Sequence, residues 1–170
     1  MQNNATFIAI DPGYDRCGVA LMREDRGKVI VVYSTCLTTK KTDPQEVRLK
    51  EIFEKLQTLI KTYTPGALVL ETLFFSVNKK TALKVAEARG AILLLAGLHN
   101  LSLIEISPQR VKIALTGVGN ASKEQVQKMV SLTVLLEKRK TLDDEIDAIA
   151  LGVAGIQEIK QQNLQKGIAK

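Results

Sequence analysis

Apolar residues fall along this chain in two rhythms. Short unbroken runs at residues 7–10 (Phe-Ile-Ala-Ile) and 67–70 (Ala-Leu-Val-Leu) are too short for helices and are bounded by turn signals. Such runs predict strands buried on both faces of a sheet. Residues 17–23 and 28–37 are rich in β-formers and flank a polar, glycine-containing segment, the pattern of a hairpin, and residues 103–106 predict a fifth strand. The helical rhythm is clearest over residues 45–63, where Val47, Leu49, Ile52, Phe53, Leu56, Leu59 and Ile60 recur on one face. Asp43 is its expected N-cap, with Pro44 at the first helical position. Further helices are expected over 78–98, 108–115, from a Ser122 cap to about 136, and from Thr141 to about 160, followed by a frayed tail. The first of these ends in AILLLAGL, which is apolar all round, so either the core or a second subunit must cover it.

The order βββαβαβαα, a meander leading into alternating strands and helices, describes an α/β protein with a five-stranded mixed sheet flanked by helices, as in the ribonuclease H-like fold. At 170 residues the chain is read as one such domain, with an ordered core of about 5–160. Apolar residues make up 45% and charged residues 25%, the balance of a soluble globular protein. MQNNAT lacks the layout of a signal peptide, so a cytoplasmic protein is expected. Cys17 and Cys36 then read as reduced core residues, and with His99 as the single histidine there is no soft ligand set for zinc. The net charge of +6 favours a polyanionic partner without requiring one.

Candidate chemistry lies in the acids. Asp11 stops the first apolar run at a Pro-Gly turn, and Glu71 closes the fourth strand. Asp-Pro-Gly is also ordinary turn chemistry, and a charge at a strand end is commonly just solvated. The last helix carries Asp143, Asp144, Glu145 and Asp147, and acids in a first turn complement the helix dipole. Asp147 differs, because it shares a face with Ala150, Leu151 and Ala154, where burial of a charge needs a compensating cation or donors. Asp144 and Asp143 lie on the same side. If the three elements converge, four oxygen-donor acids suit hard divalent cations, and two such ions about 3.5–4 Å apart can drive phosphodiester hydrolysis.

The sequence between these acids narrows the choice. IDPGYDRCGVAL (residues 10–21), LVLETLFF (68–75), NKKTALKVAEARGAI (78–92), SPQRVKIALTGVGNASKEQVQKMV (107–130) and DDEIDAIALGVA (143–154) resemble the RuvC-type Holliday junction resolvases of bacteria. The resemblance implies a homodimeric, Mg²⁺-dependent endonuclease that resolves four-way DNA junctions by paired symmetric nicks in recombination and repair. Carried over by motif, Asp11, Glu71, Asp144 and Asp147 would be the catalytic metal ligands, with Mn²⁺ a possible substitute. Asp144 is chosen over Asp143 because the family pairs its last two ligands at i, i+3. Phe74 matches the family's aromatic at the junction bases, with Phe75 the neighbouring filler, and Lys112 and Lys123 match lysines needed for activity. Lysine there would meet phosphate as a point charge. The family also works with the RuvA-RuvB branch-migration complex, a partner that the resemblance implies here. Rival readings are another ribonuclease H-like nuclease, a junction binder without catalysis, and an actin-like or sugar-kinase ATPase, which would need a second domain.

Overall fold

The computed structural model describes residues 6–72, 79–134 and 142–168. Its five-stranded sheet has the order β3-β2-β1-β4-β5. β1 (Phe7–Asp11), β2 (Arg16–Asp25) and β3 (Lys28–Thr38) form the antiparallel meander, and β4 (Ala67–Glu71) and β5 (Ser102–Ile106) add in parallel beyond β1. α1 (Gln45–Tyr63) and α2 (Lys79–Leu98) supply one face of the sheet, and α3 (Pro108–Thr116), α4 (Lys123–Thr133) and α5 (Asp143–Ile168) supply the other.

The central strands read as unbroken hydrophobic runs because each face meets helices. Ile8, Ile10, Val19, Leu21, Leu68 and Leu70 join Ile52, Leu56, Ile92 and Leu95 beneath α1 and α2. Their alternates, Phe7, Ala9, Ala20, Met22, Ala67 and Val69, meet Ala148, Leu151, Val111 and Val126 beneath α3, α4 and α5. Side chains alternate along a strand, so this parity also decides where the strand-end acids lie. Asp11 continues the 7, 9 series and Glu71 the 67, 69 series, and both belong to the face of α3, α4 and α5. The parallel register of Ile10 with Leu70 makes them neighbours.

α5 lies unusually close to the sheet. A Cβ at Gly18 would run into the Asp144 carbonyl, one at Gly152 into the Met22 sulfur, and one at Gly155 into the Val69 side chain. Small residues on both surfaces therefore set the helix directly onto β2, β1 and β4, and Gly18 anchors its first turn. Ser34 Oγ of β3 donates to Glu145 Oε1 at 2.5 Å, tying the same turn to the sheet. Glu145 is buried rather than solvated at the helix start.

Several boundaries differ from the sequence reading. Pro44, not Asp43, is the N-cap of α1: its backbone is extended, its carbonyl accepts from Val47 and Arg48, and no side chain caps the helix, the Asp43 amide being turned back to Lys40. Ser122 does cap α4, reciprocally with Gln125, but the helix stops at Thr133 because Val134 turns extended and drops into the core. α5 begins at Asp143, Thr141 lying outside the described residues, and it continues past the expected end near 160 to Ile168. Residues 161–166, QQNLQK, are mostly good helix formers, which permits this. α2 is not covered all round: Ile92, Leu95 and Ala96 are buried, whereas Leu83, Leu94 and Leu98 are 73%, 57% and 59% exposed. Both cysteines are free, Cys17 buried and Cys36 half-buried. Among the described residues no helix is long and apolar enough to cross a membrane.

Candidate active site

Asp11 and Glu71 open into a cavity of about 240 Å³ at the carboxyl ends of β1 and β4. Lys112 of α3, Lys123 at the start of α4 and Asp147 of α5 complete its polar lining, over an apolar wall of Pro108, Val111, Val126, Ala150 and Leu151. Each side chain arrives there for a local reason. Ser107 caps α3 by accepting from the Arg110 amide, and Gly117, at φ 79°, ends that helix in the left-handed conformation glycine tolerates. The capping box of Ser122 and Gln125 fixes the start of α4, and so places Lys123. Asp147 is one turn inside α5, above the Ala150 and Leu151 stripe that holds the helix to the sheet.

Electrostatics divides the acids into two kinds. Burial first, then the nearby carboxylates of Glu71, Asp147 and Asp144, push the Asp11 pKa up to about 8. Burial and Asp147 push Glu71 to about 6. Among the described residues neither forms an ion pair. The helix acids, by contrast, already hold cations: Lys123 donates from Nζ to Asp147 Oδ2 at 2.9 Å and stands 3.9 Å from Asp143 Oδ2, while Arg16 at the start of β2 pairs with Asp144. The bond to Asp147 raises the Lys123 pKa, keeping the ammonium charged. Leaning toward these cations, the acids do not form a ready-made metal cluster among the described residues.

The chain matches the model of the family described as crossover junction endodeoxyribonuclease RuvC over residues 7–155. It belongs to that family. A protein of that description from Thermosipho melanesiensis is 41% identical over 85% of this chain and 92% of its own length, and one from Brevibacillus brevis is 34% identical over 96% and 99%. Among solved structures, Thermus thermophilus RuvC superposes with a TM-score of 0.84 at 26% identity, covering 92% of this chain and 96% of that one. The same protein in complex with a Holliday junction substrate gives 0.81, at 26% identity over 88% and 92%. These likenesses establish the ribonuclease H-like fold of a RuvC family member.

Of the residues carried over from the RuvC motifs, Asp11, Glu71, Asp147, Lys112 and Lys123 line one cavity. Asp144 stands beside it, within electrostatic reach of Asp11 but paired with Arg16. Asp143 is 69% exposed and lies outside the lining. Phe74 and Phe75 lie outside the described residues. Sequence reasoning missed Arg16, whose single charge at a strand start carries no periodic signal, and it missed the cavity walls, which read as ordinary helix core. The donor chemistry fits hard divalent cations: every candidate ligand is a carboxylate, and desolvation together with neighbouring carboxylates holds two adjacent ones toward their protonated forms.

Proposed function

We propose that this protein is a divalent-metal-dependent endonuclease that resolves four-way DNA junctions by paired symmetric nicks, in recombination and repair. The observation that carries it is the cavity in which two strand-end acids of adjacent parallel strands meet a helix aspartate and two lysines in a chain of the RuvC family. Asp11, Glu71 and Asp147, with Asp144, would hold two Mg²⁺ ions, and Mn²⁺ would substitute. When bound, such ions supply Lewis acidity toward a scissile phosphate and a water made nucleophilic near neutral pH.

The chain's own residues do the rest. Asp11 is held toward its protonated form by burial and its carboxylate neighbours, which spares the cavity three adjacent negative charges. Lys112 and Lys123 present ammonium groups to phosphate oxygens, and Lys123 can leave Asp147 for that purpose without a backbone change. Val111, Val126 and Leu151 give the pocket a dry wall, against which these charges act more strongly than in water.

The exposed Leu83, Leu94 and Leu98 on α2 mark the face that a second copy would cover. A two-fold dimer carries two identical sites, matching the pseudo-two-fold symmetry of a four-way junction. Phe74, three residues after Glu71 in the sequence, is the candidate for stacking on an unpaired base. The whole described sheet and its helices work as one nuclease unit in this reading, with the branch-migration motor RuvA-RuvB as a partner.

The deciding experiment offers Mg²⁺ and an end-labelled synthetic four-way junction, beside linear duplex and an RNA:DNA hybrid, with Asp11→Asn as control. Symmetric nicks confined to the junction and lost in the variant are expected. Binding without nicks would leave a junction-binding module, and preferential cutting of the hybrid would make the protein a ribonuclease H.

A further inference from the structure

Asp144 is three residues before Asp147 on α5, yet its carboxylate is drawn out of the cavity by Arg16. The Arg16 side chain is 46% exposed and Asp144 is 26% exposed, so neither is trapped by packing. The backbones beneath them are locked. Gly18, two residues along β2, lies so close to the Asp144 carbonyl that no Cβ fits between them. An exchange of partners at Asp144 is therefore a side-chain movement over a fixed frame. Arg16 stands beside the half-buried Cys36 thiol of β3, and Lys123 attends Asp147 and Asp143 on the other side. Arginine stays charged at every working pH, so what releases it must be a competing cation rather than a proton.

We propose that Arg16 is a displaceable counter-cation for Asp144: it holds that carboxylate until a divalent ion enters, and the freed guanidinium then takes a junction phosphate. Metal loading and the grip on DNA reinforce each other through this one exchange. Arg16 is thus a positioning residue, and its planar fork suits both partners, carboxylate before and phosphate after. The inference rests on the metal-nuclease reading above and assigns an order of events within that site.

The test is calorimetric titration of Mg²⁺ into the free protein, with Arg16→Gln in the wild-type and Asp144→Asn backgrounds. An exposed ion pair of this kind should cost the ion a modest handicap, so Arg16→Gln is expected to tighten Mg²⁺ by about two- to fivefold. With Asp144→Asn already present the same change should yield little. Junction affinity, measured by electrophoretic mobility in chelator and then in Ca²⁺, should rise less on adding the ion for Arg16→Gln than for wild type. An equal gain in both backgrounds would make Arg16 a general field effect, and no gain, or an unchanged rise with Ca²⁺, would also overturn the exchange. A wild-type protein that cleaves junctions with Mg²⁺ yet shows either result leaves the nuclease reading standing. One that takes up no divalent ion overturns both.

Discussion

The strand-end acids and the helix acids occupy the same site in opposite electrostatic states. Asp11 and Glu71 are set by the sheet itself, half-buried where their strands end, and hold their protons at pH values where a solvated carboxyl would have lost them. Asp144 and Asp147 ride on a helix that reaches solvent, and each is neutralised by a cation from another element. The first pair shares its cavity with Lys112 and Lys123 but forms no ion pair among the described residues; each member of the second pair is held by a cation on a side chain able to move away.

The largest expected effect removes one member of each kind. Asp11→Asn and Asp147→Asn should each lower junction cleavage by about a hundredfold or more, since each takes away a carboxylate of the proposed metal site. Thermal unfolding in chelator at pH 8 should separate them. Asp11→Asn should raise the midpoint, because an amide needs no proton to be buried, whereas Asp147→Asn should move it less, because it leaves Lys123 without its partner. Equal shifts would erase the distinction between the pairs.

The next effect is a pH dependence of several kcal/mol in metal-free stability. Folding raises Asp11 from 3.8 to about 8 and Glu71 from 4.5 to about 6, so the folded chain retains protons that the unfolded chain has released. The stability that comes from these protons is complete below the unfolded values, near pH 4, and is lost as the pH climbs through 6 and then 8. Denaturant melts in chelator should show this decline between pH 5 and 8. Saturating Mg²⁺ should flatten it, and Asp11→Asn should remove the larger share.

A smaller effect acts on the helix pair alone. Gly18→Ala forces α5 off β2 at Asp144, at a cost of about 1–3 kcal/mol in stability. Asp11 and Glu71 keep their strand register, so the variant should bind Mg²⁺ more weakly while Asp11 retains its raised pKa, read by carboxyl infrared or NMR titration. Loss of both together would mean that the strand pair depends on the helix pair after all.

How much of this was legible in advance follows from the range of each interaction. Short apolar runs, with the β-rich hairpin pattern for β2 and β3, located the five strands, and periodicity located α1 closely, because these signals are carried by neighbours in sequence. The stop of α4 at Thr133 was not legible, since Val134 leaves the helix to fill a tertiary core position. Nor was the continuation of α5 to Ile168, where good helix formers read as a polar tail. The strand-end position of Asp11 and Glu71 could be read from where apolar runs cease, and Asp147 from an acid on an apolar stripe. Arg16 could not be found, because its partner is 128 residues away on an element whose approach is set by Gly18.

By itself the sequence determined the strands, the helices and the chemical type of each donor, since propensity, periodicity and turn residues act over a few positions. The family motifs likewise belong to the order of residues alone. Tertiary structure alone decided which acids face one another: strand parity turns Asp11 and Glu71 to a common face, and small residues let α5 settle close enough to bring Asp147 over them. It also decided which acids are held in ion pairs, because charge at a site is a sum over groups that only packing brings within range.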